Sequence, residues 1–439
     1  MAGEDGFSSL PIEIKTFILS LVEVKEAVRS SALARSWRQV WTHLPCLRLN
    51  YRRDRQGCSD FTDVSWLERV RHLVSSIQGP LLVFELDLSW AMFLGLDLDS
   101  GLMLQSTIDL LLQKGGVETL DLSFPTSRWL LHLPSFDNMQ VLILSHCDII
   151  LPDGFLGFNR LRTLRMLDIG IRNYDMNFFL QTSRNLTSLA ILRCHPLGEP
   201  LTFSINISLP LLKNLEFETI SEIETLSIVS APHLEHAMIA FRYLSCSLNV
   251  ARMLRGLVTN VDRVSSLELQ FDVVRSLSLV SLPSNFTFAQ LRYFKFYLTI
   301  DEVDKRVYES FGWLLHSMPF LQELEIALFG GANSRFKETA ILMEELLVRR
   351  HVGWDCLDRT LTKVTVGMSK LDVMSSIALI KFFLLNASML QLMKIVHLMD
   401  CDVIQRMIRE LQEVGITSLG AKVIIFNRDS QETIFLYDD

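Results

Sequence analysis

Of the residues whose types and spacing suit chemistry, His233 and His236 come first, because an i, i+3 pair puts two imidazoles on one face of a helix. Pro232 precedes them and the flanking pattern is that of a strand, so they are read as surface histidines. His146–Cys147 and Cys194–His195 are adjacent thiol–imidazole pairs. Neighbours on a strand point to opposite faces, so neither pair is a catalytic dyad. Gly330–Gly331 follows a strand pattern and is read as a turn rather than a phosphate cradle. The phosphate-binding, dinucleotide-binding, nucleophile-elbow and paired-histidine metalloprotease spacings do not occur. The seven cysteines (46, 58, 147, 194, 246, 356, 401) include no pair closer than twelve residues, which excludes a CxxC zinc site. The expectation is a chain that is not an enzyme and has no catalytic residues, no metal and no cofactor.

Without such a site, function must come from surfaces, and composition limits which. The 439 residues are 49% hydrophobic and 21% charged, enough apolar material for a large core. Lys and Arg number 42 against 50 Asp and Glu, for a net charge of −8. The basic cluster Arg48, Arg52, Arg53 and Arg55 is interrupted by Asp54 and reads as a solvated loop, so nucleic acid is not an expected partner. The acidic start Met1–Gly6 lacks the layout of a signal peptide. The most apolar stretch, residues 377–399, is broken by Lys381, Asn386 and Lys394, so no membrane span is expected. An odd set of dispersed cysteines fits a reducing compartment, and the expected location is cytoplasm, nucleus or both.

Residues 8–44 carry three short helical patterns. Pro11 suits a first helical turn, and Ile14, Phe17, Ile18, Leu21 and Val22 follow at i, i+3, i+4, i+7 and i+8. Residues 25–33 form a second pattern, and Trp37, Val40, Trp41 and Leu44 mark a third face. So short a bundle cannot bury enough surface alone, and a partner or the rest of the chain must complete its core. The run Leu10-Pro11-x-x-Ile14, Ile18-Leu19-Ser20-Leu21, Val24-Lys25-x-Ala27-Val28-Arg29-x-Ser31 and Leu33-Ala34-Arg35-Ser36-Trp37-Arg38-x-x-Trp41 resembles the F-box of plant F-box proteins. That resemblance implies docking on a Skp-family adaptor, and through it on a cullin, by Leu10, Pro11, Ile14, Ile18, Leu19, Val28, Leu33, Trp37 and Trp41.

From Leu81 onward the phrase L-x-x-L-x-L recurs, from Leu81-x-x-Phe84-x-Leu86 through Val117-x-x-Leu120-x-Leu122 to Leu392-x-x-Ile395-x-His397. Successive fourth positions from Leu120 are spaced 22, 22, 25, 26, 11, 11, 30, 27, 30, 40 and 31 residues apart. Most steps fit a leucine-rich repeat, whose unit buries its apolar side only against neighbours. The two steps of 11 leave no room for a helix, so strand is expected to pass almost directly to strand there. Helical returns are expected at Leu102–Gln113, stopped by Gly115–Gly116, and at Val307–His316. Cys147 and Cys194 occupy the repeat position where Asn or Cys satisfies backbone groups at a turn. Residues 351–426, with Leu361-Thr362-Lys363-Val364-Thr365-Val366 and Leu385-Asn386-Ala387, resemble the FBD module of plant F-box proteins.

The fold class expected is therefore α/β, with an F-box at 7–48, a linker and cap at 49–80, and an irregular leucine-rich-repeat solenoid of parallel strands at 81–350. An FBD-like cap at 351–426 and a tail at 427–439 complete it. The flanking residues Asp121, Ser123, Arg165, Glu216, Glu218, Glu268, Gln270, Lys295, Tyr297, Glu325 and Thr365 are expected on the inner curve. Tyr293, Lys295 and Tyr297 on one strand and Glu323 and Glu325 on the next are the expected substrate contacts. The resemblance implies a non-catalytic substrate receptor of an SCF-type ubiquitin ligase, holding a protein substrate whose identity the sequence does not give. A repeat scaffold or a small-ligand, hormone-like sensor is the alternative.

Overall fold

The computed structural model describes residues 6–54, 63–89, 98–125, 129–199, 202–220, 223–241, 248–271, 273–277, 279, 286–299, 305–329, 354–368, 373–397, 401–412, 421–427 and 433–437. It divides into two compact units, residues 1–212 and 213–439.

In the first unit, helices Ile12–Ser20 and Val24–Arg29 are followed by 3₁₀ turns at Ser30–Ala32, Arg35–Trp37 and Val40–His43. The expected third helix is thus a series of tight turns. The strands are β1 (Cys46–Asn50), β2 (Val83–Asp87), β3 (Thr119–Ser123), β4 (Trp129–His132), β5 (Val141–Ser145), β6 (Cys147–Ile150), β7 (Thr163–Leu167), β8 (Gly170–Ile171), β9 (Ser188–Leu192), β10 (His195–Pro196) and β11 (Phe203–Ser208). β1, β2, β3, β5, β7 and β9 pair in parallel and in register. That register stacks Leu47, Phe84, Leu120, Leu142, Leu164 and Leu189 in one inward row, and Leu49, Leu86, Leu122, Leu144, Met166 and Ile191 in the next. All twelve are buried, as the period-2 alternation of a one-sided sheet demands. The sheet starts at Cys46 rather than Leu81, so the segment expected as linker and cap supplies its first strand and the helix Asp63–Ser76. The helix Leu98–Lys114 stops at Gly115 and Gly116, both at positive φ, as the sequence indicates.

A second, smaller sheet runs β10-β8-β6-β4. Each of three repeats turns from the main sheet into it through a residue at positive φ: His146 (60°), Asp168 (56°) and Arg193 (55°). A side chain there is strained, and His146 Nδ1 lies 3.1 Å from Asp168 Oδ2 across adjacent repeats. The following residues, Cys147, Ile169 and Cys194, turn inward and are buried.

The second unit holds β12 (Asn214–Thr219), β13 (Ile223–Ser230), β14 (His236–Phe241), β15 (Ser266–Phe271), β16 (Tyr293–Thr299), β17 (Glu323–Phe329), β18 (Lys363–Met368), β19 (Leu392–His397), β20 (Lys422–Asn427) and β21 (Thr433–Tyr437). Its sheet order is β12-β14-β15-β16-β17-β18-β19-β20-β21. The pairings are parallel except the last, where β21 runs antiparallel to β20. Two differences from expectation stand out. β13 lies outside this sheet and β14 pairs directly with β12, so Leu215 to Ala237 is one repeat of 22 residues rather than two of 11. The segment 427–439 is also more than a tail, because it contributes β21. The inward rows run Leu215, Ala237, Leu267, Phe294, Leu324, Val364, Met393, Val423 and Phe217, Ile239, Leu269, Phe296, Ile326, Val366, Ile395, Ile425. The helix Lys305–His316 returns as expected, and Phe311 from it packs on Phe296 with ring centroids 4.8 Å apart.

Two turn glycines separate backbone strain from crowding. Gly154 and Gly157 have φ of 80° and 85°, but only at Gly157 would an added Cβ overlap a neighbour, the Thr182 side chain. Gly154→Ala should cost about 1 kcal/mol and Gly157→Ala clearly more. Urea unfolding checks this through the midpoints, and equal midpoints for the two variants would contradict the packing described.

Candidate functional site

The helix Ile12–Ser20 is turned inside out. Its buried side chains are Lys15 and Leu19. Lys15 Nζ donates to Ser8 O at 2.8 Å and lies 5.7 Å from the Trp37 ring centroid, which compensates its loss of water. The apolar residues point out instead: Ile14 and Phe17 on the helix, Leu21 and Val22 just beyond it, and Leu33, which is 80% exposed. Of the nine adaptor-binding residues named from the sequence, Pro11, Ile14 and Leu33 are exposed and Leu10, Ile18, Val28 and Trp41 are half-buried. Leu19 and Trp37 are buried and form the core under this face, so they support it and are not on its surface. Phe17 and Leu21, at 62% and 71% exposure, share the stripe with Ile14 although the adaptor motif did not single them out, and Phe7 is exposed as well, at 65%. The periodicity did carry Phe17 and Leu21, since it marked them as one stripe with Ile14. Exposed apolar side chains gathered in this way mark an interaction surface.

Beside these helices a cleft of about 480 Å³ is lined by Leu21 and Val22 above and by Arg48, Asn50, Glu85, Asp87 and Asp121 on β1–β3. Arg48 Nε donates to Glu85 at 3.0 Å and Asn50 to Asp87 at 2.7 Å. Burial, reinforced by Glu85 and Asp87, pushes the Asp121 carboxyl up to about 6.

On the second unit the register gathers the five residues expected to hold substrate. Tyr293 pairs with Glu323, and Lys295 with Glu325. Lys295 Nζ sits 3.2 Å from Glu325 and 3.8 Å from Glu268, and 5.4 Å from the Tyr297 ring centroid. Tyr293 donates to Glu325 Oε2 at 2.9 Å, and Lys363 to Glu323 at 2.8 Å. Burial first, then Glu325, drives the Tyr293 phenol above its usual range. Burial alone would pull Lys295 down, but Glu268 and Glu325 more than offset it. These side chains are therefore held in place before any partner arrives. Gly330–Gly331 lies outside the described residues.

The buried thiols Cys147 and Cys194 are chemically quiet. Burial raises Cys147 above its usual range and Cys194 to about 12. The Cys194 sulfur lies 3.8 Å from the carbonyls of Met166 and Leu192, the role its repeat position implies. His233 and His236 are exposed. Among the described residues no group of three His, Cys, Asp or Glu could hold a metal, and no helix is long and apolar enough to cross a membrane.

The family model of the F-box domain matches residues 7–49, the inside-out helices and the turns after them. The family model for the leucine-rich repeats of the FBD-associated F-box protein At5g56370 matches residues 105–282. The chain thus carries an F-box and leucine-rich repeats, each matched over its own segment. Three relatives come from Arabidopsis thaliana. F-box/LRR-repeat protein At3g26922 is 26% identical over 300 residues, 65% of this chain and 93% of that protein. F-box/LRR-repeat protein At2g42720 is 34% identical over 118 residues, about a quarter of each chain. F-box/LRR-repeat protein At5g02910 is 49% identical over 51 residues, 12% of this chain and 11% of that one. F-box/leucine-rich-repeat proteins are typically non-catalytic adaptors.

Asp121 supplies a pH test of the cleft. Its raised value means that between about pH 4 and 6 the folded chain holds a proton that the unfolded chain has lost. Stability from this group therefore falls as pH rises through that window, and the full cost applies above it. Asp121→Asn should stabilise the chain at pH 7.5 by about 1 kcal/mol after solvent screening, and by almost nothing at pH 4. Urea midpoints at the two pH values check this; equal gains at both would overturn the assignment.

Proposed function

We propose that this chain is the substrate receptor of an SCF-type cullin–RING ubiquitin ligase, with the F-box docked on a Skp-family adaptor and the repeats holding a protein substrate. The observation that carries the reading is the inside-out helix. Burying a lysine while Ile14, Phe17, Leu21 and Leu33 face water is unfavourable for an isolated domain, and it suits one that meets an apolar groove. Such anchors dominate binding energy when a partner desolvates them. The receptor needs no nucleophile or base of its own. Holding a lysine-bearing substrate beside a loaded conjugating enzyme supplies proximity, which is worth effective molarities of ~10⁵ M or more for well-oriented groups. The prearranged patch of Tyr293, Lys295, Tyr297, Glu323 and Glu325 is the proposed substrate contact.

The double change Ile14→Asp with Leu33→Asp should abolish capture of the purified Skp-family adaptor, because both side chains are on the surface and neither belongs to the core. Leu10→Ala with Pro11→Ala should weaken it. The unfolding midpoint should stay within ~0.5 kcal/mol of the parent chain for the surface pair. Undiminished adaptor capture by the Ile14/Leu33 variant would refute the docking assignment.

A further inference from the structure

Inside β18, Gly367 stands where nothing among the described residues calls for a glycine. Its φ is not in the left-handed range, and a Cβ built there would meet only Ala327 Cα and Ile326 O at 3.7 Å and Ala327 Cβ at 3.9 Å, ordinary contacts. A glycine in a strand interior costs stability through lost packing and added chain entropy. Where no bulge or backbone strain explains one, a close approach to the strand from outside remains as the reason. The neighbours support this. The register places Tyr297, Ala327, Gly367, Val396 and Phe426 side by side on the outer row of β16–β20. Between Tyr297 and Val396 the row therefore presents only a methyl and a hydrogen, a recess two strands wide with aromatic and aliphatic walls. Adjacent strands are ~4.8 Å apart, so the opening is roughly the width of one large apolar side chain.

The charges around the recess are unequal. Lys295 is clamped by Glu268 and Glu325, and Lys363 is paired with Glu323. Lys394, beside Thr365 on the adjoining row and two residues before Val396, has no carboxylate partner among the described residues. Its ammonium lies 5.0 Å from the Phe426 ring centroid. A cation diagonal to the recess, one strand over from Gly367 and two residues back along that strand, fits an acidic group that arrives together with an apolar one. Two residues along a strand (~7 Å) and one strand across (~4.8 Å) put Gly367 and Lys394 ~8 Å apart. Along an extended segment that distance spans about two residues.

We propose that this face binds an extended segment of a partner protein that seats a large apolar side chain over Ala327 and Gly367 and directs a carboxylate one or two residues away onto Lys394. This deepens, and rests on, the reading of the second unit as the substrate-holding part of a receptor. It turns an unspecified substrate into a short acidic–apolar motif.

The probe is an immobilised set of nine-residue peptides on a Gly/Ser background, carrying one Phe or Leu and one Glu at separations of one to four residues. Controls carry either residue alone or Lys in place of Glu. The full chain should bind peptides with a separation of one or two at least tenfold better than any control. Gly367→Leu fills the recess without backbone strain and should abolish that preference. Lys394→Glu should reverse it, so that the Lys peptides bind better. Both variants must keep the parent unfolding midpoint and adaptor capture, so that loss of peptide is not loss of fold. Binding equal to the controls, binding that survives replacement of the apolar residue by Ser, or binding unchanged in Gly367→Leu would each overturn the proposal. Failure of the receptor reading would show separately, as lost adaptor capture by the parent chain with peptide preference intact.

Discussion

Everything else in this molecule depends on the stacking of one strand's two inward side chains on those of the next. A five-residue strand such as β3 has only Leu120 and Leu122 to bury, far too little to order it alone. In register with β2 and β5 the same two side chains become links in a continuous hydrocarbon seam. Order is therefore bought repeat by repeat from the neighbours, and stability is a sum of interfaces rather than the property of one core. The constraint also explains what the outward positions can do. Freed from packing, they are open to polar and aromatic residues, and the parallel register sets those residues in rows as regular as the core beneath.

The F-box segment obeys the opposite rule. Its core is small: Leu19, Ala27, Trp37, Val40 and Leu44, with Lys15 folded in over the indole. With little to bury, the helix Ile12–Ser20 does not turn its most apolar stripe inward. It spends its polar residue on the inside and keeps the stripe for an outside surface. A chain built from these parts joins a self-satisfying array to a segment that is left unsatisfied.

The sequence was most legible where one physical rule acted alone. The period-2 alternation located the inward leucines of β3, β5, β7 and β9, and Gly115–Gly116 located the end of the helix before β3, because only glycine takes those backbone angles without strain. It was misleading where a phrase had the right spacing and the wrong neighbours. Ile223, Leu226 and Ile228 read as a repeat strand, yet β14 takes the place beside β12 and β13 lies elsewhere. Spacing reports which residues share a face and is silent on which strand pairs with which. The same limit hid Leu47 and Leu49, a strand too short to stand out before its partner Phe84 is known. At the docking face the stripe Ile14, Phe17 and Leu21 was plain, but its direction was not, since periodicity gives a face and not its orientation. The patch on β16 and β17 was visible residue by residue, whereas the pairing of Lys363 with Glu323 depends on the register between strands 40 residues apart in sequence.

The reversal at β21 has a consequence for the company this chain keeps. A row of parallel strands ends in exposed amides and carbonyls, and a second copy could in principle continue the series from there, as filaments do. By running the other way, Thr433–Tyr437 occupies the ladder of β20 with the wrong polarity for any further strand of the repeat type to follow in phase. Its register also shifts between Val423 and Ile424, which breaks the flatness that stacking strands require. The antiparallel strand thus acts as punctuation: it interrupts the parallel series of the second unit, because the edge of β20 is already occupied.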